Sequence, residues 1–117
     1  MKLNTILGNG ATAEGIDNIA SGNYSHAEGN NSRAMAYCSH AEGEAHAFGS
    51  CSHAEGTNDE GGGAYGNFSH SEGDCTWANA HSSHTEGLYT NAFGYASHAE
   101  GENCYRTSLL ATYIDMD

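Results

Sequence analysis

Small and polar residues alternate along this chain on a fixed beat. Ser25-His26-Ala27-Glu28-Gly29 returns as Ser39-His40-Ala41-Glu42-Gly43 and Ser52-His53-Ala54-Glu55-Gly56. It returns again as Ser69-His70-Ser71-Glu72-Gly73, Ser83-His84-Thr85-Glu86-Gly87 and Ser97-His98-Ala99-Glu100-Gly101. Ala11-Thr12-Ala13-Glu14-Gly15 opens the series, and the successive glutamates lie 14, 14, 13, 17, 14 and 14 positions apart. A second small-residue segment sits midway in each period: Ala20-Ser21-Gly22, Ala34-Met35-Ala36, Ala47-Phe48-Gly49, Ala64-Tyr65-Gly66, Ala78-Asn79-Ala80 and Ala92-Phe93-Gly94.

Each period therefore holds two short segments joined by two corners, one usually of four residues and one of two, such as Asn23-Tyr24. Helical solenoid repeats need about 33–47 residues per unit, so a 14-residue unit predicts a β-solenoid turn of two strands of about five residues and two bends. Side chains alternate between the faces of a strand. Ser, Ala and Gly of the first strand then point inward, and His and Glu point outward. An interior of Ser, Ala, Gly and occasional Thr predicts a narrow, flattened roll of parallel strands. Seven turns at about 4.8 Å each give a body roughly 30 Å long. The absence of Pro fits an unbroken ladder.

Composition supports this picture. The chain of 117 residues suits one domain, divided here into an N-terminal cap over 1–10, a repeat domain over 11–103 and a C-terminal cap or trimerisation segment over 104–117. Apolar content is dominated by Ala, which buries little area at roughly 25 cal/mol per Å², so burial between chains is expected. The formal charge of −12, with only Lys2, Arg33 and Arg106 basic, excludes a nucleic-acid face and a polybasic membrane contact. No run of about 18 apolar residues suggests a membrane span. The N-terminal stretch lacks the apolar core of a signal peptide.

The pattern Ser-x-Ala-x-Gly, four residues, Ala-x-Gly, two residues resembles the head repeat of trimeric autotransporter adhesins, in the SHAEG variant found in phage and prophage tail-fibre proteins. The resemblance covers residues 11–103 and implies an all-β, left-handed parallel β-roll that trimerises side by side. It further implies a structural fibre or adhesin module on a virion or cell surface, displaying loops to a host receptor or glycan, and no enzyme. In adhesin heads the two x positions are usually Val and Ile, and that face packs toward the trimer axis. Here they are His and Glu, so the axis would be polar. The coiled-coil stalk and anchor of a full autotransporter are not seen in this sequence.

The outward columns are the candidate site: His26, His40, His53, His70, His84 and His98 beside Glu28, Glu42, Glu55, Glu72, Glu86 and Glu100, with Glu14 extending the second. Members of a column would be about 4.8 Å apart, too close for all to be charged. Three readings fit: a polar ladder fixing trimer register with His and Glu alternating between chains, an axial transition-metal site using the six His and neighbouring Glu, and a solvated face. Each His beside Glu is expected to have a raised pKa, and each Glu beside a protonated His a lowered one, so acid should loosen the assembly. Ser-His-x-Glu also suggests a hydrolase triad, but neighbours on a strand face opposite ways, and a sixfold repeat is unlike a single catalytic constellation.

Three further features break the beat. The fourth turn carries an insertion, and Asn58, Asp59, Glu60, Gly61 and Gly62 form a candidate binding loop. Cys38 and Cys51 occupy equivalent places in successive turns, close enough for a disulfide, though buried thiols are the preferred reading; Cys75 and Cys104 fall in the other corner. The outward residues of the second strand, including Met35, Phe48, Tyr65, Trp77 and Phe93, are expected to pack on a neighbouring chain. A self-assembling extracellular filament is the alternative function, joined through the apolar ends, and a metal-binding trimer is the other.

Overall fold

The computed structural model describes residues 3–57 and 62–103, together with the backbone of two further strands, Tyr105–Arg106 and Thr112–Ile114. It is a parallel β-solenoid of about seven turns, with no helix among the described residues. The long strands are Thr12–Ile16, His26–Asn30, His40–Glu44, His53–Thr57, His70–Asp74, His84–Leu88 and His98–Glu102. They form one parallel sheet, each paired only with the turns before and after. Register is strict: His40 pairs His26 and His53, Glu86 pairs Glu72 and Glu100, and glycine follows glycine throughout.

The second sheet is built from Ile19–Ala20, Arg33–Ala34, His46–Ala47, Gly63–Ala64, Trp77–Ala78 and Asn91–Ala92. These strands are two residues long rather than the expected five. The small residues that follow turn at once into the short corner, where the Ser21 and Gly22 N–H groups both reach the Ala34 carbonyl, at 3.0 and 3.5 Å. Terminal segments extend both sheets: Thr5–Ile6 lies beside Ile19–Ala20 and Tyr105–Arg106 beside Asn91–Ala92 in this one, and Thr112–Ile114 beside His98–Glu102 in the other. Leu3, Ile6 and Leu7 are exposed at the first end.

The core is one alanine per strand. Ala20, Ala27, Ala34, Ala41, Ala47 and Ala54 are at most 1% exposed and pack as a single cluster. Ser71 and Thr85 replace Ala in the later turns and are equally buried. So narrow an interior explains the thin body, whose extents are 41 × 24 × 14 Å.

Backbone groups at the corners are satisfied by small polar side chains, as buried polar groups require. The first Ser of each unit turns inward and donates to the carbonyl three residues earlier: Ser25 to Gly22, Ser52 to Gly49 and Ser69 to Gly66, each at 2.6 Å. At the long corner Asn18 and Ser32, both fully buried, bridge turns. Asn18 Nδ2 donates to the Glu14 and Gly29 carbonyls, and Ser32 Oγ to those of Glu28 and Gly43.

The glycine closing each long strand is demanded by geometry. At Gly73 φ is +116°, and an added Cβ would strike the Gly87 carbonyl oxygen of the next turn. Both corners also carry a left-handed residue. Asp17, Asn31, Cys75, Tyr89 and Asn103 hold it at the long corner, and Tyr24, Cys38, Cys51, Phe68, Ser82 and Ala96 at the short one, with φ between 53 and 63°. That conformation throws the side chain off the roll at the short corner. It corrects the expectation of buried thiols there: Cys38 and Cys51 are exposed and unbridged, whereas Cys75 is buried. Asn58, Asp59, Glu60 and Gly61 of the candidate loop lie outside the described residues, as does Cys104. Gly62, where the chain rejoins the roll, is buried.

Candidate functional site: the histidine–glutamate face

The six histidines stand on one face of the long-strand sheet because the parallel register sets each directly on the last. Their rings stack with centroids 4.6–4.8 Å apart and planes within 7° of parallel, from His26 through to His98. The glutamates two residues on form the adjoining column on the same face. Each His Nε2 lies near the Glu of its own turn, at 3.4 Å for His26–Glu28 and 3.5 Å for His53–Glu55.

The pairing is therefore within one chain. His26, His53 and His98 also approach the Glu of the preceding turn: Glu14 at 3.6 Å, Glu42 at 3.9 Å and Glu86 at 3.8 Å. All these separations exceed the 2.7–2.9 Å of a charge-assisted hydrogen bond. Each of the six Nε2 atoms is shielded from solvent and makes no hydrogen bond. The histidine side chains as a whole are half-buried, at 30–37% exposure.

Electrostatics run against the expectation of raised histidine pKa values. His40 is held below its ordinary value by burial first and then by the adjoining His53 and His26; Glu28 and Glu55 oppose this without reversing it. His53 and His84 are lowered for the same reason, burial followed by stacked neighbours. Burial, together with rings 4.7–4.8 Å away that resist a second positive charge, outweighs the pull of the Glu28 and Glu55 carboxylates.

Hydrogen bonds between carboxyl groups of successive turns shift several of the glutamates. Glu42 is raised to about 7, first through its hydrogen bond with Glu55, then by burial and the bond with Glu28. Glu28 and Glu55 are correspondingly lowered, chiefly by carboxyl hydrogen bonds, Glu14 and Glu42 acting on the first and Glu42 and Glu72 on the second. Glu100 is raised by its bond with Glu86. Lowered Glu28 and Glu55 match the direction expected for glutamate, but carboxyl sharing is the larger cause; Glu42 and Glu100 go the other way.

Beside the glutamates an open groove of about 820 Å³ runs along Glu42, Glu55, Glu72, Glu86 and Glu100, floored by the glycines that follow them. Those glycines, required by the backbone, leave the floor without side chains. Ser39 takes no part in this face, since its Oγ donates to the Ala36 carbonyl inside the roll.

Two aromatic rows lie elsewhere. On the short-strand sheet Phe48 stacks on Tyr65 at 5.0 Å, and His46 meets Phe48 edge-on. At the short corner Tyr24 meets Tyr37 at 5.8 Å, and His81 lies between Phe68 and Tyr95, at 5.2 and 5.1 Å. Sequence reasoning tracked this corner only for its cysteines. The aromatic ridge was readable there as bulky residues recurring at the two-residue corner. The chain matches no family model, no curated protein and no solved structure.

Proposed function

We propose that this chain is a structural fibre or adhesin module, a left-handed β-roll that assembles side by side into a homotrimer through its histidine–glutamate face and displays its corners to a surface receptor or glycan. The observation that carries the reading is the unfinished state of that face in a single chain. Six ring nitrogens are shielded from water yet make no hydrogen bond, and they adjoin an open groove with a bare glycine floor. Buried polar atoms left unpaired cost roughly 1–3 kcal/mol each. A second copy laid along the groove would supply partners layer by layer, because its own repeat has the same rise.

The alanine core supports the same reading. It buries little area per residue, so a lone chain leans on backbone bonding and gains from burial between copies. The polar ladder would then fix register, as buried polar groups do in other assemblies. The resemblance to adhesin and tail-fibre repeats supplies the biological setting and the expectation of no catalysis.

Sedimentation equilibrium or native mass spectrometry tests the assembly. A discrete trimer is expected, with Glu55→Leu changing its stability. A monomer at tens of micromolar overturns the reading, and an open-ended polymer favours the filament instead.

A further inference from the structure

We infer that His26, His53 and His98 are each the nitrogen ligand of a divalent transition-metal site, completed within one chain by carboxylates from two successive turns. The sites are His26 with Glu14 and Glu28, His53 with Glu42 and Glu55, and His98 with Glu86 and Glu100. Their ligands come from one chain, and they leave His40, His70 and His84 for contacts with a second copy.

Distance is the first ground. Ligand atoms bound at about 2.0–2.2 Å to a tetrahedral ion lie about 3.4 Å from one another. His26 Nε2 is 3.6 and 3.4 Å from its two carboxylate oxygens. For His53 the two distances are 3.9 and 3.5 Å, and for His98 they are 3.8 and 3.5 Å. These are too long for hydrogen bonds and match the edge of a coordination tetrahedron within a few tenths of an ångström. In each case the imidazole Nε2 is shielded from solvent and bonded to nothing.

The second ground is the contrast with the other three histidines. His40, His70 and His84 each have a single carboxylate within 4 Å. Groups such as His26, Glu28 and His40 are compact too, with ligand atoms within 4.8 Å. But stacked rings with planes 7° apart send their nitrogen lone pairs out side by side rather than toward one point. Two neighbouring histidines are therefore poor joint ligands, and one histidine with two carboxylates is the better set.

Charge and spacing agree. Binding releases any proton the two carboxyls share, so a neutral imidazole and two carboxylates bring two negative charges to a doubly charged ion, on a chain of net charge −12. The three histidines are two and three turns apart, about 10 and 14 Å at the strand spacing, so bound ions would be separated by more than a Debye length or near it. Imidazole with carboxylate suits zinc, nickel and cobalt rather than calcium or magnesium, which take oxygen alone. The fourth position is open to water.

The test uses the full chain stripped with chelator, then titrated with Zn²⁺ and, for its visible spectrum, Co²⁺. Three zinc ions per chain are expected, together with a tetrahedral Co²⁺ band that zinc bleaches. The triple variant His26→Gln, His53→Gln, His98→Gln should lose at least tenfold in affinity at all three. The equally drastic triple His40→Gln, His70→Gln, His84→Gln should keep three ions. Binding of less than one zinc per chain overturns the inference, as does equal loss in the two triples. Should the first triple not fold, His53→Gln alone decides: a fall from three ions to two supports the assignment, and an unchanged count overturns it.

Discussion

His53 lies on His40 with ring centroids 4.7 Å apart and planes 4° from parallel. Burial first, and then stacked neighbours that make a second proton costly (His53 and His26 for His40, His70 for His53), hold both rings below the ordinary histidine range. A lowered folded pKa means that the native state binds fewer protons than the unfolded one as pH falls past about 6.5. The stability held by the neutral stack is complete above that pH and is lost as pH falls through the folded value. The groups facing the pair are His26, His70, Glu28, Glu42 and Glu55. In chelator-treated protein the melting temperature should drop between pH 7 and pH 5, and His40→Gln should reduce that drop. A pH dependence that His40→Gln leaves unchanged would contradict the account of a buried, stacked ring.

Glu42 acts in the opposite sense. Its folded pKa of about 7 lies above the ordinary value of 4.5, so its proton stabilises the fold fully below 4.5, and that contribution is lost as pH rises from there through 7. Glu42→Gln should stabilise the protein at pH 8 and make no difference near pH 4. The gain should be about 1 kcal/mol, far less than the full shift at 1.36 kcal/mol per unit, because solvent screens this face. Paired thermal melts at the two pH values check it.

Ser52 donates to the Gly49 carbonyl inside the roll at 2.6 Å, and both ends of that bond are buried. Ser52→Ala removes one of two bonds to that carbonyl, which the Ser52 N–H still reaches at 3.2 Å, and should cost about 0.5–1.5 kcal/mol in urea unfolding. Ser50→Ala, at the neighbouring corner position where the backbone N–H donates to Asn67 Oδ1 and the carbonyl accepts from the Phe68 N–H, keeps both bonds and should be neutral. Equal effects from the two would remove the serine hydroxyl from the account of the turn.

Backbone handedness at the corners separates two substitutions of one methyl group. Gly73→Ala would set its Cβ against the Gly87 carbonyl and should unfold or severely weaken the roll. Ala96→Gly, at φ 54°, relieves a left-handed residue and should stabilise by up to about 1 kcal/mol once the extra freedom of glycine in the unfolded chain is subtracted. Chemical denaturation of the two variants beside the parent is sufficient.

Cysteine accessibility follows from the same corners. In a Cys104→Ser background, Cys38 and Cys51 should react with a thiol reagent in the folded protein, and Cys75 only after denaturant is added. Three fast thiols, or none, would place the corner side chains differently.

Much of this could be read from the repeat. When Ser, His, Ala, Glu and Gly recur at 14 residues, parallel stacking is the one arrangement that sets like on like. The columns of His and Glu, the alanine core and the glycine row followed from that. What escaped depended on distances rather than order. The second strand is two residues long because Ala-x-Gly bends at once, as Ser21 and Gly22 show by sharing the Ala34 carbonyl. Cys38 is exposed at the short corner while Cys75, equally left-handed, is buried at the long one, a difference no spacing reveals. The direction of the His40 shift turned on burial and stacked rings outweighing the carboxylates. Likewise, the second carboxylate at His53 comes from the turn before, which the one-dimensional motif does not display.

The row of glycines has a mechanical meaning. Since each turn touches only its two neighbours, and every junction repeats the same close backbone contact, a 14-residue unit can be added or removed without creating a new kind of interface. The molecule is a ruler graduated in steps of about 4.8 Å. Gene duplication would tune the reach of such a rod one notch at a time, leaving its cross-section unchanged.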